Sequence, residues 1–216
     1  PAASPASGGL TVHDLAPPPP PETATALYAR LRLTRAERDA ICALGPVIGA
    51  SPRKVKRFVN LYRLMRARRR GAELEAFLGN GEGPAPFRMA LLWLAIETGL
   101  GPEAVRRFAE AMRAQGRWDP FILIHAPPME IDDDWEPKFW DYDVPGMMSL
   151  KDSIVSFWSC VPERSVRESI RQVLRQLNGI EPELAIAVVS EAERFSLRGG
   201  ENLFEGLDRG ASDPGG

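Results

Sequence analysis

Residues 52–70 read PRKVKRFVNLYRLMRARRR, a stretch with nine basic residues and no acidic one. Proline suits the first position of a helix, and Ser51 before it is a good N-cap residue. At about 100° per residue, Val55, Phe58, Val59 and Tyr62 fall on one side, which is expected to pack inward. Arg53, Lys56, Arg57 and Asn60 fall on the opposite side. Their i, i+3, i+4 and i+7 spacing lets the side chains converge on one ligand. Arg53 and Lys54 also stand near the helix N-terminus, where free amides and the helix dipole favour an anion such as phosphate. The competing reading is a solvated basic face whose aliphatic stems cover neighbouring apolar surface.

This helix concentrates the positive charge of a chain whose formal net charge is only −2. Outside it, 18 of the 27 basic residues stand against all 29 acidic ones, a net of −11. The whole chain is therefore no generic polyanion binder, and any anion chemistry belongs to one element.

The surrounding punctuation predicts an all-α chain, mainly an irregular helical array with a Trp-rich, partly irregular insertion around 116–148. Four regions are expected: a Pro/Ala-rich linker over 1–25, a helical lid-like region over 26–115, the Trp-rich loop with the C-terminal helices over 116–198, and a disordered tail over 199–216. Pro17 to Pro21 favours polyproline II and joins no core. A short helix is predicted over 23–31. Thr34-Arg35-Ala36-Glu37 is a capping box, opening a helix to about Leu44 that Gly45-Pro46 is expected to stop. Gly71 is expected to end the basic helix, with a short turn over 73–78 and a glycine-rich loop over 79–84. Residues 86–97 read as a buried helix and 102–115 as an amphipathic one. Ser149 is expected to open a helix to about Ser159, Pro162 one to about Leu177, and Glu181-Pro182 the last, to about Phe195.

The segment 116–148 holds Trp118, Trp135, Trp140 and the run Asp132-Asp133-Asp134. With Glu130 and Glu136 that run has the carboxylates a divalent cation prefers, but it lacks the spacing of an EF-hand, and a solvated acidic loop is the expected reading. No G-x-x-x-x-G-K-[ST] loop, no G-x-S-x-G and no Cys/His cluster of zinc spacing occurs. His13 and His125 are the only histidines, and neither stands in a recognisable triad. The chain is not expected to be an enzyme on its own. Cys42 and Cys160 read as two buried thiols in a reducing compartment. With no secretory signal, and an apolar run from Met89 to Ile96 far too short to span a bilayer, the reading is cytoplasmic.

Ser51-Pro52-Arg53-Lys54-Val55-Lys56-Arg57-Phe58-Val59-Asn60-Leu61-Tyr62-Arg63-Leu64 resembles the s-P-R-x-(hydrophobic)-K-R-F-x-N-x-(Y)-R-L segment of KAP-type P-loop NTPases. The resemblance covers about Leu33 to Arg68, including the acidic-apolar helix before the motif. It implies a helical lid or sensor region downstream of a nucleotide-binding core. Arg53 would approach the terminal phosphate of a bound nucleotide, Lys56 and Arg57 match the K-R pair, and Asn60 would fix the helix against the core. The phosphate loop and metal-binding acidic strand would lie before Pro1, so that ATP and Mg would be held by the parent protein and not by this chain. The implied partner is that upstream core of the same protein. The family context includes membrane-associated signalling and phage exclusion in bacteria. Two alternatives stand beside it: a helical nucleic-acid-binding domain using the basic helix 52–70, and a protein-interaction scaffold docking through Trp135 and Trp140.

Overall fold

The computed structural model describes residues 31–79, 84–113, 147–161 and 163–195. The linker, most of the predicted helix over 23–31, the acidic and Trp-rich segment, His13, His125 and the C-terminal tail lie outside them. The described residues form an all-α fold: α1 (Arg35–Ala43), α2 (Gly45–Ile48), α3 (Pro52–Ala67), α4 (Gly71–Leu78), α5 (Phe87–Gly99), α6 (Pro102–Arg113), α7 (Met147–Ser159), α8 (Arg164–Gln176) and α9 (Pro182–Phe195).

The centre is α5. Every residue from Met89 to Ile96 is buried, so this helix has no solvent face. A helix apolar on all sides must be surrounded; here α1, α2, α3, α6, α8 and α9 pack around it, while α7 lies against α6. Full burial of side chains such as Leu91, Leu92, Leu94 and Ile96 stabilises the fold by about 1.5–3 kcal/mol each. An aromatic chain joins α5, α6 and α7. Trp93 and Phe108 lie 6.1 Å apart between ring centroids, Phe108 and Phe157 5.2 Å, and Phe157 and Trp158 4.9 Å, all tilted as ring quadrupoles prefer. One cluster of buried side chains runs from Ala40 in α1 to Ala192 in α9.

The basic helix is seated on α5 beside a close backbone approach. A Cβ on Gly99 would lie 1.7 Å from the Val47 carbonyl oxygen, so only glycine lets the end of α5 abut α2. The Gly99 carbonyl accepts from Lys54 Nζ at 3.2 Å, which ties the first turn of α3 to the same corner.

Several expected boundaries move. α1 ends where expected, at Ala43 with Leu44 as its C-cap, but Gly45-Pro46 also opens α2, because a proline in the first turn loses no intrahelical hydrogen bond. Gly71 likewise begins α4 instead of closing α3, whose C-cap is Arg68, and the turn expected over 73–78 is part of a two-turn helix. Ser149 lies inside α7, which starts at Met147. The N-cap of α8 is Glu163. Cys42 is exposed and Cys160 half-buried, both free thiols, so the expectation of two buried thiols is corrected. Glu37, Ala40 and Leu44 turn inward from the α1 segment, which leaves position 42 on the outer side.

Candidate functional site

The nine basic residues of the α3 segment divide into two populations. Inside, the sector of α3 facing the core is made by Phe58, Tyr62, Met65 and Arg66, all buried, followed by Arg69 beyond the helix end. Val55, expected on this side, is 39% exposed, and Val59 is half-buried. Val55 stands in the first turn, before the buried sector begins at Phe58.

Glu37 organises the inner side. It completes the predicted capping box: its amide donates to Thr34 Oγ1 at 3.2 Å, and the Thr34 amide donates to Glu37 Oε2 at 2.6 Å. Its other oxygen points into the protein. Tyr62 Oη donates to Glu37 Oε1 at 2.6 Å, and Arg66 Nε donates to the same oxygen at 2.8 Å. Glu37 is 0% exposed and Arg66 4%. A carboxylate and a guanidinium buried together are tolerable only when paired and hydrogen-bonded, and this pair is both. Burial, then the charge of Glu37 and the hydrogen bond to it, push the Tyr62 hydroxyl far above the ordinary phenol range.

Arg69 forms the second clamp. Its guanidinium lies over Phe77 of α4 at 3.8 Å from the ring centroid, donates to the Met65 carbonyl at 2.9 Å and pairs with Glu191 of α9. Arg68 stands over the Phe195 ring at 5.5 Å. Three cations that sequence reasoning placed in a basic run therefore hold α1, α4 and α9 against α3. A signal was present: Tyr62, Arg66 and Arg69 continue the inward face of Phe58 at helical spacing.

Outside, Arg53, Lys56, Arg57 and Asn60 are all exposed and share the face the spacing predicts. Arg63 and Leu64 join them, the latter 55% exposed. Among the described residues no carboxylate pairs with Arg53, Lys56, Arg57 or Arg63. Lys54 is turned aside to Gly99. At the N-terminus Ser51 has extended backbone but its side chain makes no capping hydrogen bond, and no acidic residue stands in the first turn to offset the dipole. The face can thus offer three guanidinium forks and one ammonium to an anion without breaking any contact of the fold. Among the described residues no group of His, Cys, Asp and Glu could hold a metal ion, and no helix is long and apolar enough to cross a membrane.

The chain matches no protein-family model, no curated relative and no solved structure.

Proposed function

We propose that this chain is the helical lid of a KAP-like P-loop NTPase, in which Arg53 reaches the terminal phosphate of a nucleotide bound by upstream sequence. One observation carries the reading. The cations α3 needs for folding, Arg66 and Arg69, are buried and paired, whereas the four that match the motif, Arg53, Lys56, Arg57 and Arg63, are exposed and free of carboxylate partners among the described residues. A charge left unpaired on a rigid element is available to a ligand, and an arginine fork fits the spreading charge of a phosphoryl group.

In this reading the protein's own residues have separate tasks. Glu37, Tyr62, Arg66 and Arg69 fix the axis of α3, and Lys54 fixes its first turn through Gly99. Arg53 and Arg57 donate to phosphate oxygens, and Lys56 adds charge one turn along. The upstream core would hold ATP and its magnesium ion and supply the bond-breaking chemistry. Asn60, exposed on the same face, is free to meet that core.

The coding DNA before the Pro1 codon tests the proposal at once. A strand leading into G-x-x-x-x-G-K-[ST], with an acidic strand after it, is the expected in-frame sequence. A reading frame that opens at or near Pro1 refutes the lid.

A further inference from the structure

The row of free cations on α3 is longer than one terminal phosphate requires. Arg53, Lys56 and Arg57 occupy the first two turns, but Arg63 is exposed on the same side and has no carboxylate partner among the described residues. From Arg53 to Arg63 the row extends about 15 Å along the axis, at 1.5 Å per residue. Duplex DNA presents one negative charge per about 1.7 Å of its own axis, so a row of this length faces several phosphates at once.

We infer that the outer face of α3 docks along the phosphate backbone of a nucleic acid, without reading its sequence. The inference rests on the same reading of this face as phosphate-binding, but not on the NTPase. Two features favour a polyphosphate chain over an acidic peptide. The face is convex, a single helix, and its only exposed large apolar side chain is Leu64. Peptide and protein partners draw their affinity from apolar or aromatic anchors sunk into pockets, whereas phosphate backbones are held by spaced cations on an open surface. No acidic residue interrupts the row anywhere in α3. Where a nucleotide is also bound, Arg53 and Arg57 serve both ligands, and the two compete.

Fluorescence anisotropy of the full chain with a labelled mixed-sequence duplex tests this across a salt series. Four cations releasing counterions give a slope of log K against log salt of about −3 to −4, or roughly a hundredfold loss of affinity between 50 mM and 200 mM salt. Arg53→Ala and Arg63→Ala each make the slope shallower by about one. Arg63→Lys keeps it, and Arg164→Ala, an exposed cation of α8, leaves it unchanged. Duplexes of different sequence bind equally. No binding at the lowest salt overturns the inference, as does a slope indifferent to Arg63→Ala. Displacement of the duplex by poly-glutamate at equal charge overturns it in favour of an acidic protein partner. If ATP turnover in the parent ignores Arg53 while the slopes behave as stated, the lid falls and the nucleic-acid face stands. The opposite pattern leaves only the lid.

Discussion

Removing the Glu37 carboxylate should cost far more than its helix cap alone is worth. Glu37→Ala takes away the acceptor for the Thr34 amide, the Tyr62 hydroxyl and Arg66 Nε. A lost capping interaction costs about 1 kcal/mol. Here the larger effect is Arg66, left 4% exposed with no counterion. Breaking a buried pair from one side costs about 3–5 kcal/mol, because the remaining charge stays in the interior. The orphaned Tyr62 hydroxyl overlaps with that figure and is not added to it. Since the total stability of a domain is about 5–15 kcal/mol, this one substitution removes a large share of it. Urea denaturation followed by circular dichroism would read the loss as a lower midpoint at unchanged m-value. The companion variant Glu37→Leu/Tyr62→Phe/Arg66→Met replaces every polar group by an apolar one of similar volume, and should recover most of the loss or exceed the parent. A Glu37→Ala variant within about 1 kcal/mol of the parent would refute the argument that this buried network clamps α1 to α3.

Tyr62 should also give stability a pH limb. Its folded pKa lies above the ordinary 10.0, so the folded protein keeps the proton that the unfolded chain releases. That contribution is fully present below pH 10 and is lost as pH rises from there; the stability difference between parent and Tyr62→Phe should therefore shrink in alkaline solution, and a constant difference would contradict it. At the α2–α5 corner, Gly99→Ala should cost about 2 kcal/mol or more, because the new Cβ meets the Val47 and Ile48 backbone, which has no side chain to swing away. Gly45→Ala, with open space around it, should be neutral or stabilising by up to about 1 kcal/mol in the same urea denaturation. Equal losses at both glycines would dismiss the close approach as the cause.

The fold class was legible because apolar periodicity is a strong local signal. Residues 86–97 read as a helix apolar on most sides, and Phe87–Gly99 is the buried centre of the fold. Boundaries were less legible where glycine and proline occur together. Gly45-Pro46 closes α1 as expected but also opens α2, and Gly71 opens α4, because glycine and proline serve as well at the start of a helix as at its end; the buried Val47, Ile48 and Phe77 go with the start. The outer face of α3 was readable from spacing alone, since Arg53, Lys56, Arg57 and Asn60 are exposed where the helical angle places them. The inner clamp was legible only in the spacing of Tyr62, Arg66 and Arg69 after Phe58, not in their residue types. Periodicity sorts apolar from polar residues, and Glu37, Arg66 and Arg69 are polar residues at inward positions. What buries them is a set of partners distant in sequence: Tyr62 for Glu37, Phe77 and Glu191 for Arg69. The thiol of Cys42 was misplaced for the related reason that a small apolar residue in an amphipathic run does not by itself say which face it occupies.

The two-faced character of α3 is the centre of this account, and ATP turnover tests it most directly. The measurement is single-turnover hydrolysis by the parent polypeptide, including whatever in-frame sequence precedes Pro1, compared with its Arg53→Ala variant and accompanied by thermal melts of both. The account predicts turnover lower by about 10³-fold or more, the scale of a missing arginine at a phosphoryl group. It also predicts melting unchanged to within about 0.5 kcal/mol of stability, because Arg53 is exposed and has no carboxylate partner among the described residues. Turnover within twofold of the parent would contradict the lid, and a destabilised Arg53→Ala would contradict the division of α3 into a folding face and a ligand face.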